Sequence, residues 1–108
     1  MPDFRKSKRY DDNHIVEHNG DIIHFHDSET GKLYRNLKSA CRRDTGYGTW
    51  EWDDEKSRVI AESDGITLES VVRNGNTQKT KMSYNDARNL LQSMERQVGI
   101  EKDLETRS

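Results

Sequence analysis

Long apolar runs are missing from this chain, and so is much of the apolar material that a domain of 108 residues ordinarily carries. Hydrophobic residues make up 30% and charged residues 35%. Leu, Ile, Val and Phe together number nineteen, below the roughly 20% at which burial struggles to offset ordering entropy. No stretch approaches the roughly 20 apolar residues of a membrane-spanning helix, so no membrane association is expected. The single cysteine, Cys41, excludes an internal disulfide and gives no sign of an oxidising compartment. The first nine residues hold no apolar stretch behind their charges, so a secretory signal is not expected and a cytoplasmic location is. Excess charge of one sign is also missing. Eighteen basic residues face twenty acidic ones, for a net charge of -2, which spares the chain the self-repulsion that accompanies disorder. A polyanion-binding face would have to come from local clusters.

What is present is punctuation. Asn19-Gly20, Asp64-Gly65 and Asn74-Gly75 are hairpin signals, because a type I′ turn needs positive φ at both central residues. They predict strands over Asn13–His18, Asp21–Asp27, Val59–Ser63, Ile66–Arg73 and Asn76–Met82. The last is almost wholly polar and is expected at a sheet edge, where lysines oppose edge-to-edge pairing. Thr49–Asp53 is a further predicted strand, turning back through residues 54–57. Toward the C-terminus, Tyr84, Ala87, Leu91, Met94 and Val98 recur at helical spacing with Leu90 alongside. Ser83 can cap that helix, with Asp86 three residues on, and Gly99 can end it.

Residues 31–45 admit two readings. Leu33, Leu37, Ala40 and Cys41 have helical spacing, but Gly31 also reads as the close of a turn. The reading adopted is a short strand over Lys32-Leu33-Tyr34, with Asn36 capping a helix from Leu37 to Asp44. The stretch from Gly31 to Ala40 loosely resembles the strand-to-helix element of RAMA-type modules associated with restriction and DNA methylation systems. The likeness covers ten residues, and where those modules continue with Asn-Gly-Trp this chain has Tyr47-Gly48-Thr49-Trp50.

All four histidines lie between His14 and His26, which invites a metal hypothesis. A two-residue turn at Asn19-Gly20 would pair His18 with Asp21, Val16 with Ile23, His14 with Phe25, Ile15 with His24 and Asn13 with His26. Faces alternate with period two. His14 and His18 would then share the likelier core face with Val16, Ile23 and Phe25, at its margins, while His24 and His26 point the other way. Four ligands cannot converge, so no cofactor or metal is expected, and His24 and His26 are left as the weak candidates.

Trp50 and Trp52 should point to the same side of their strand, either as core anchors or, with Tyr47, as an exposed aromatic site. Basic clusters stand at Arg5-Lys6-Ser7-Lys8-Arg9 and at Lys38, Arg42 and Arg43. Cys41, in phase with Leu33, Leu37 and Ala40, is expected to be buried and not a nucleophile. No phosphate-binding loop is recognisable.

The expectation is therefore an α+β domain over residues 13–100. It comprises an antiparallel sheet of hairpin-linked strands, a C-terminal helix packed on one face, and a short helix near residues 37–44. Flexible segments are expected at 1–12 and 101–108. The expected function is non-enzymatic: a small binding or regulatory protein acting through a protein interface and self-associating. Accessory proteins of phages or mobile elements that inhibit larger complexes have this size and composition. The alternative is a nucleic-acid-binding accessory protein, and behind it a histidine-based metal binder. Tyr47, Trp50, Trp52, Lys38, Arg42 and Arg43 are the candidate binding residues.

Overall fold

A computed structural model describes residues 2–42, 46–52, 56–71 and 75–96. Seven strands and two helices follow one another as β1 (Asp3–Lys6), β2 (Asn13–His18), β3 (Asp21–His26), α1 (Thr30–Ala40), β4 (Gly48–Trp52), β5 (Ser57–Glu62), β6 (Gly65–Val71), β7 (Thr77–Met82) and α2 (Tyr84–Arg96). The expected α+β class holds, but the strands form two antiparallel sheets, β1-β2-β3 and β4-β5-β6-β7. Their edges meet at β3 and β7, where the His24 N–H donates to Gln78 Oε1 at 2.8 Å. A side chain bridges the two strands there.

The first hairpin has the predicted register, with Val16 opposite Ile23 and His14 opposite Phe25. Asn19 and Gly20 both take positive φ, 50° and 86°, as a type I′ turn demands. The second hairpin departs from expectation. Glu62 pairs with Gly65, so the loop residues are Ser63 and Asp64, and neither has positive φ. Gly65 is needed for a different reason, because a Cβ there would lie 2.4 Å from the Met82 carbonyl oxygen of β7. The third connection runs from Val71 to Thr77, longer than a two-residue turn. Gly75 has φ 83°, and Asn74 lies outside the described residues.

Two further corrections concern the N-terminal half. Residues 3–6, expected in a flexible segment, form β1, which pairs with β2 in the register Phe4 opposite Val16. Phe4 is 1% exposed, and burying so large a ring outweighs the polarity of its neighbours. The strand expected at residues 32–34 and the helix expected at 37–44 are a single helix, α1. Helical spacing of Leu33, Tyr34, Leu37 and Ala40, all buried, prevails over the turn signal of Gly31. The helix enters through a 3-10 turn, Asp27–Glu29, capped reciprocally by His26 and Glu29. Asn36 caps nothing, and its amide donates to the Lys32 carbonyl one turn back.

Both helices lie against the inner faces of the sheets. α1 packs on β4, β5 and α2, while α2 packs on β1 and β6. Tyr34 Oη on α1 donates to Glu95 Oε1 on α2 at 2.6 Å. The Ser83 hydroxyl caps α2 as expected, accepting from Asp86 N–H at 3.1 Å. Val98, Gly99 and the segment 101–108 lie outside the described residues.

One apolar cluster joins all of this, from Phe4, Val16, Ile23 and Phe25 through Leu33 and Leu37 to Ile66, Leu68, Leu90 and Met94. Phe4→Ala is therefore expected to cost about 3–5 kcal/mol, read from the urea unfolding midpoint, whereas a flexible residue 4 would leave the midpoint unmoved. Gly65→Ala should cost about 1–3 kcal/mol by forcing β6 and β7 apart, read as a fall in Tm.

Candidate interaction edge at strand β4

β4 begins after Gly46, whose φ of 78° is open to glycine at no steric cost. Thr49, Trp50 and Trp52 then suit extended backbone. The strand pairs with β5 alone, Trp50 opposite Val59 and Trp52 opposite Ser57. Among the described residues no strand pairs with its outer edge.

As expected, the two tryptophans share a face, but they differ in depth. Trp52 is 8% exposed and stacks with Phe25 at a centroid separation of 6.4 Å. It is a core residue, although its Nε1–H finds no acceptor among the described residues. Trp50 is half-buried against the cluster, and a Cβ at Gly48 would lie 4.0 Å from Trp50 Cη2. Tyr47 is 68% exposed, the most exposed large apolar side chain among the described residues. Tyr47 and Trp50 thus offer aromatic surface beside an unpaired backbone edge.

Of the basic candidates, Lys38 stands on the helix that packs against this strand and Arg42 two residues beyond its end. Lys38 and Arg42 are exposed, the Lys38 ammonium lying 5.6 Å from the centre of the Tyr34 ring. Arg43 lies outside the described residues. Cys41 is half-buried at the end of α1. Burial raises its thiol above the ordinary cysteine range against the opposing pull of Arg88, so little thiolate forms at neutral pH. Two of the four cations of the other basic cluster are bound to carboxylates. Arg5 bonds to Asp3 and Glu17 at 2.6 and 2.8 Å, and Lys6 pairs with Asp27.

The histidines occupy four separate environments. His24 and His26 lie on the outer face, as the register required. His24 Nδ1 is 3.2 Å from Gln78 Oε1 and its ring meets Tyr10 edge-on. His26 Nδ1 accepts from Ser28 N–H at 3.1 Å, and its Nε2 lies 3.5 Å from Asp12. His18 is deeper than a marginal position, 4% exposed, with Nε2 at 4.0 Å from Asp86 on α2. Among the described residues no group of three His, Cys, Asp or Glu side chains is placed to hold a metal ion.

His14 belongs to a cluster that sequence spacing does not reveal. Its ring stacks on Phe4 at 5.0 Å and its Nδ1–H donates to Asp27 Oδ1 at 2.6 Å. Asp27 thereby ties β1, β2 and the entry to α1 together through Lys6 and His14. Only the long-range pairing of β1 brings Lys6 within reach.

Comparison of the chain with protein families, curated proteins and solved structures gives no match. No helix among the described residues is long and apolar enough to cross a membrane.

Burial pushes the Asp27 carboxyl up, but the hydrogen bonds from Lys6 and His14 outweigh it and hold the group below its ordinary value of 3.8. A carboxyl depressed on folding stabilises the fold above its unfolded pKa, and that contribution disappears as pH falls through the folded one. The stability advantage of the wild-type chain over Asp27→Asn should accordingly be constant near neutrality and shrink below about pH 4. Urea midpoints measured across that range check it.

Proposed function

We propose that this chain is a small non-enzymatic binding or regulatory protein that engages a protein partner along the outer edge of β4. The carrying observation is the conjunction of an unpaired strand edge with the exposed Tyr47 and the half-buried Trp50. An extended segment added there would gain main-chain hydrogen bonds from the edge and aromatic anchors from these two side chains. The raised Cys41 thiol favours binding over nucleophilic chemistry.

The nucleic-acid alternative draws its support from Lys38, Arg42 and the N-terminal basic run. It is weakened where Arg5 and Lys6 are bound to carboxylates, which leaves fewer cations to displace counterions from a phosphate backbone. Glu51, exposed on the same strand as Trp50, also opposes a polyanion at this edge.

Capture from a cognate lysate on the immobilised full chain tests the reading. Retention should survive nuclease treatment, should fall about tenfold or more with Tyr47→Ala, and should be unaffected by Lys38→Glu. Capture that nuclease abolishes, or that Lys38→Glu removes while Tyr47→Ala does not, overturns it.

A further inference from the structure

Resting on that reading, we infer that one occupant of the β4 edge is β4 of a second copy of this chain, paired antiparallel about a two-fold axis. The four outer edges of the two sheets are not equivalent. Those of β3 and β7 lie against each other, bridged by Gln78. The β1 edge carries three charged residues in four, Asp3-Phe4-Arg5-Lys6, which is how natural edges resist pairing. β4, Gly48-Thr49-Trp50-Glu51-Trp52, has a single charge and lacks lysine and proline. It is the edge without such protection.

The same five residues are self-complementary. Antiparallel pairing centred on Trp50 is the register that matches all five residues with the second copy. Trp50 then lies opposite itself, Thr49 opposite Glu51 of the second copy, and Gly48 opposite Trp52 of the second copy. The carboxylate meets a neutral β-branched residue instead of its own image, and Trp52 meets glycine. Like charges directly opposite would destabilise the pair. Closed cyclic symmetry about a two-fold axis also uses up both edges, so growth stops at two copies.

Sedimentation velocity of the full chain from about 1 to 200 µM should show a monomer–dimer equilibrium. Thr49 and Glu51 are both exposed, so charge changes there leave the fold intact, which thermal unfolding verifies. Thr49→Glu, setting carboxylate against carboxylate twice per dimer, should weaken the dimer about five- to tenfold. Thr49→Lys should tighten it, and the double variant Thr49→Glu/Glu51→Lys should restore it. A chain that stays monomeric throughout overturns the second copy as occupant while leaving the lysate capture result to decide the broader reading. A dimer indifferent to these charges is built elsewhere and overturns the inference equally.

Discussion

Burial of one apolar cluster shared by both sheets and both helices is the constraint on which every other element depends. Two sheets of three and four strands each have one inner face to cover, and each helix packs on a different pair of strands. α1 takes β4 and β5, α2 takes β1 and β6, and the helices close on each other, with Tyr34 Oη donating to Glu95 Oε1. All contribute to one contiguous cluster, so the loss of one is felt beyond its own element. Phe4 matters for this reason, since it adds a second buried ring to the three-stranded face beside Phe25.

A composition of 30% hydrophobic residues suffices because small polar side chains fill inner positions where a larger apolar one is not needed. Ser57 and Ser70 stand opposite each other on the inner face beside Trp52, 1% and 5% exposed. The Ser57 hydroxyl donates to Glu29 Oε1 at 2.9 Å, while the other oxygen of that carboxylate accepts the His26 N–H. One glutamate thus satisfies a buried hydroxyl and caps the entry to α1, which lowers the cost of burying polarity. Among the described residues, Thr80 Oγ1, His18 Nδ1 and Trp52 Nε1 are buried without partners, and a buried group left unpaired costs about 1–3 kcal/mol.

What could be read from sequence was whatever rests on local chemistry. The Asn19-Gly20 hairpin declared its register because positive φ at two consecutive residues leaves little choice, and α2 declared itself by its cap and stripe. The misreadings arose where a residue had two physical uses. Gly65 looked like a turn residue, but its lack of Cβ admits the Met82 carbonyl. Gly31 looked like a turn as well, yet it sits buried inside α1, whose start is fixed by side chains of His26 and Glu29 instead of the usual cap. β1 escaped notice because a single apolar residue among charges has no periodicity to detect. The Asp27 cluster was illegible for the same reason, since Lys6 joins it only through β1. At the candidate site, the shared face of Trp50 and Trp52 followed from strand period, whereas their different burial depends on Phe25 and α1, which no local pattern encodes.

The scarcity of apolar residues first suggests a chain that must borrow part of its core from a partner. The fold answers differently. With Phe4 recruited and the helices closed over both sheets, the inner faces are covered, and among the described residues the large apolar side chains left exposed are Tyr10, Ile22 and Tyr47. On the proposed reading, a partner would be held by backbone and by a few anchors, a small and exchangeable interface of the kind that suits regulation better than permanent assembly. β4 meets that description because its hydrogen-bonding edge is open while its tryptophans already lean on the core. On the proposed reading, Trp50 would give a partner rigid aromatic surface at little further loss of conformational entropy.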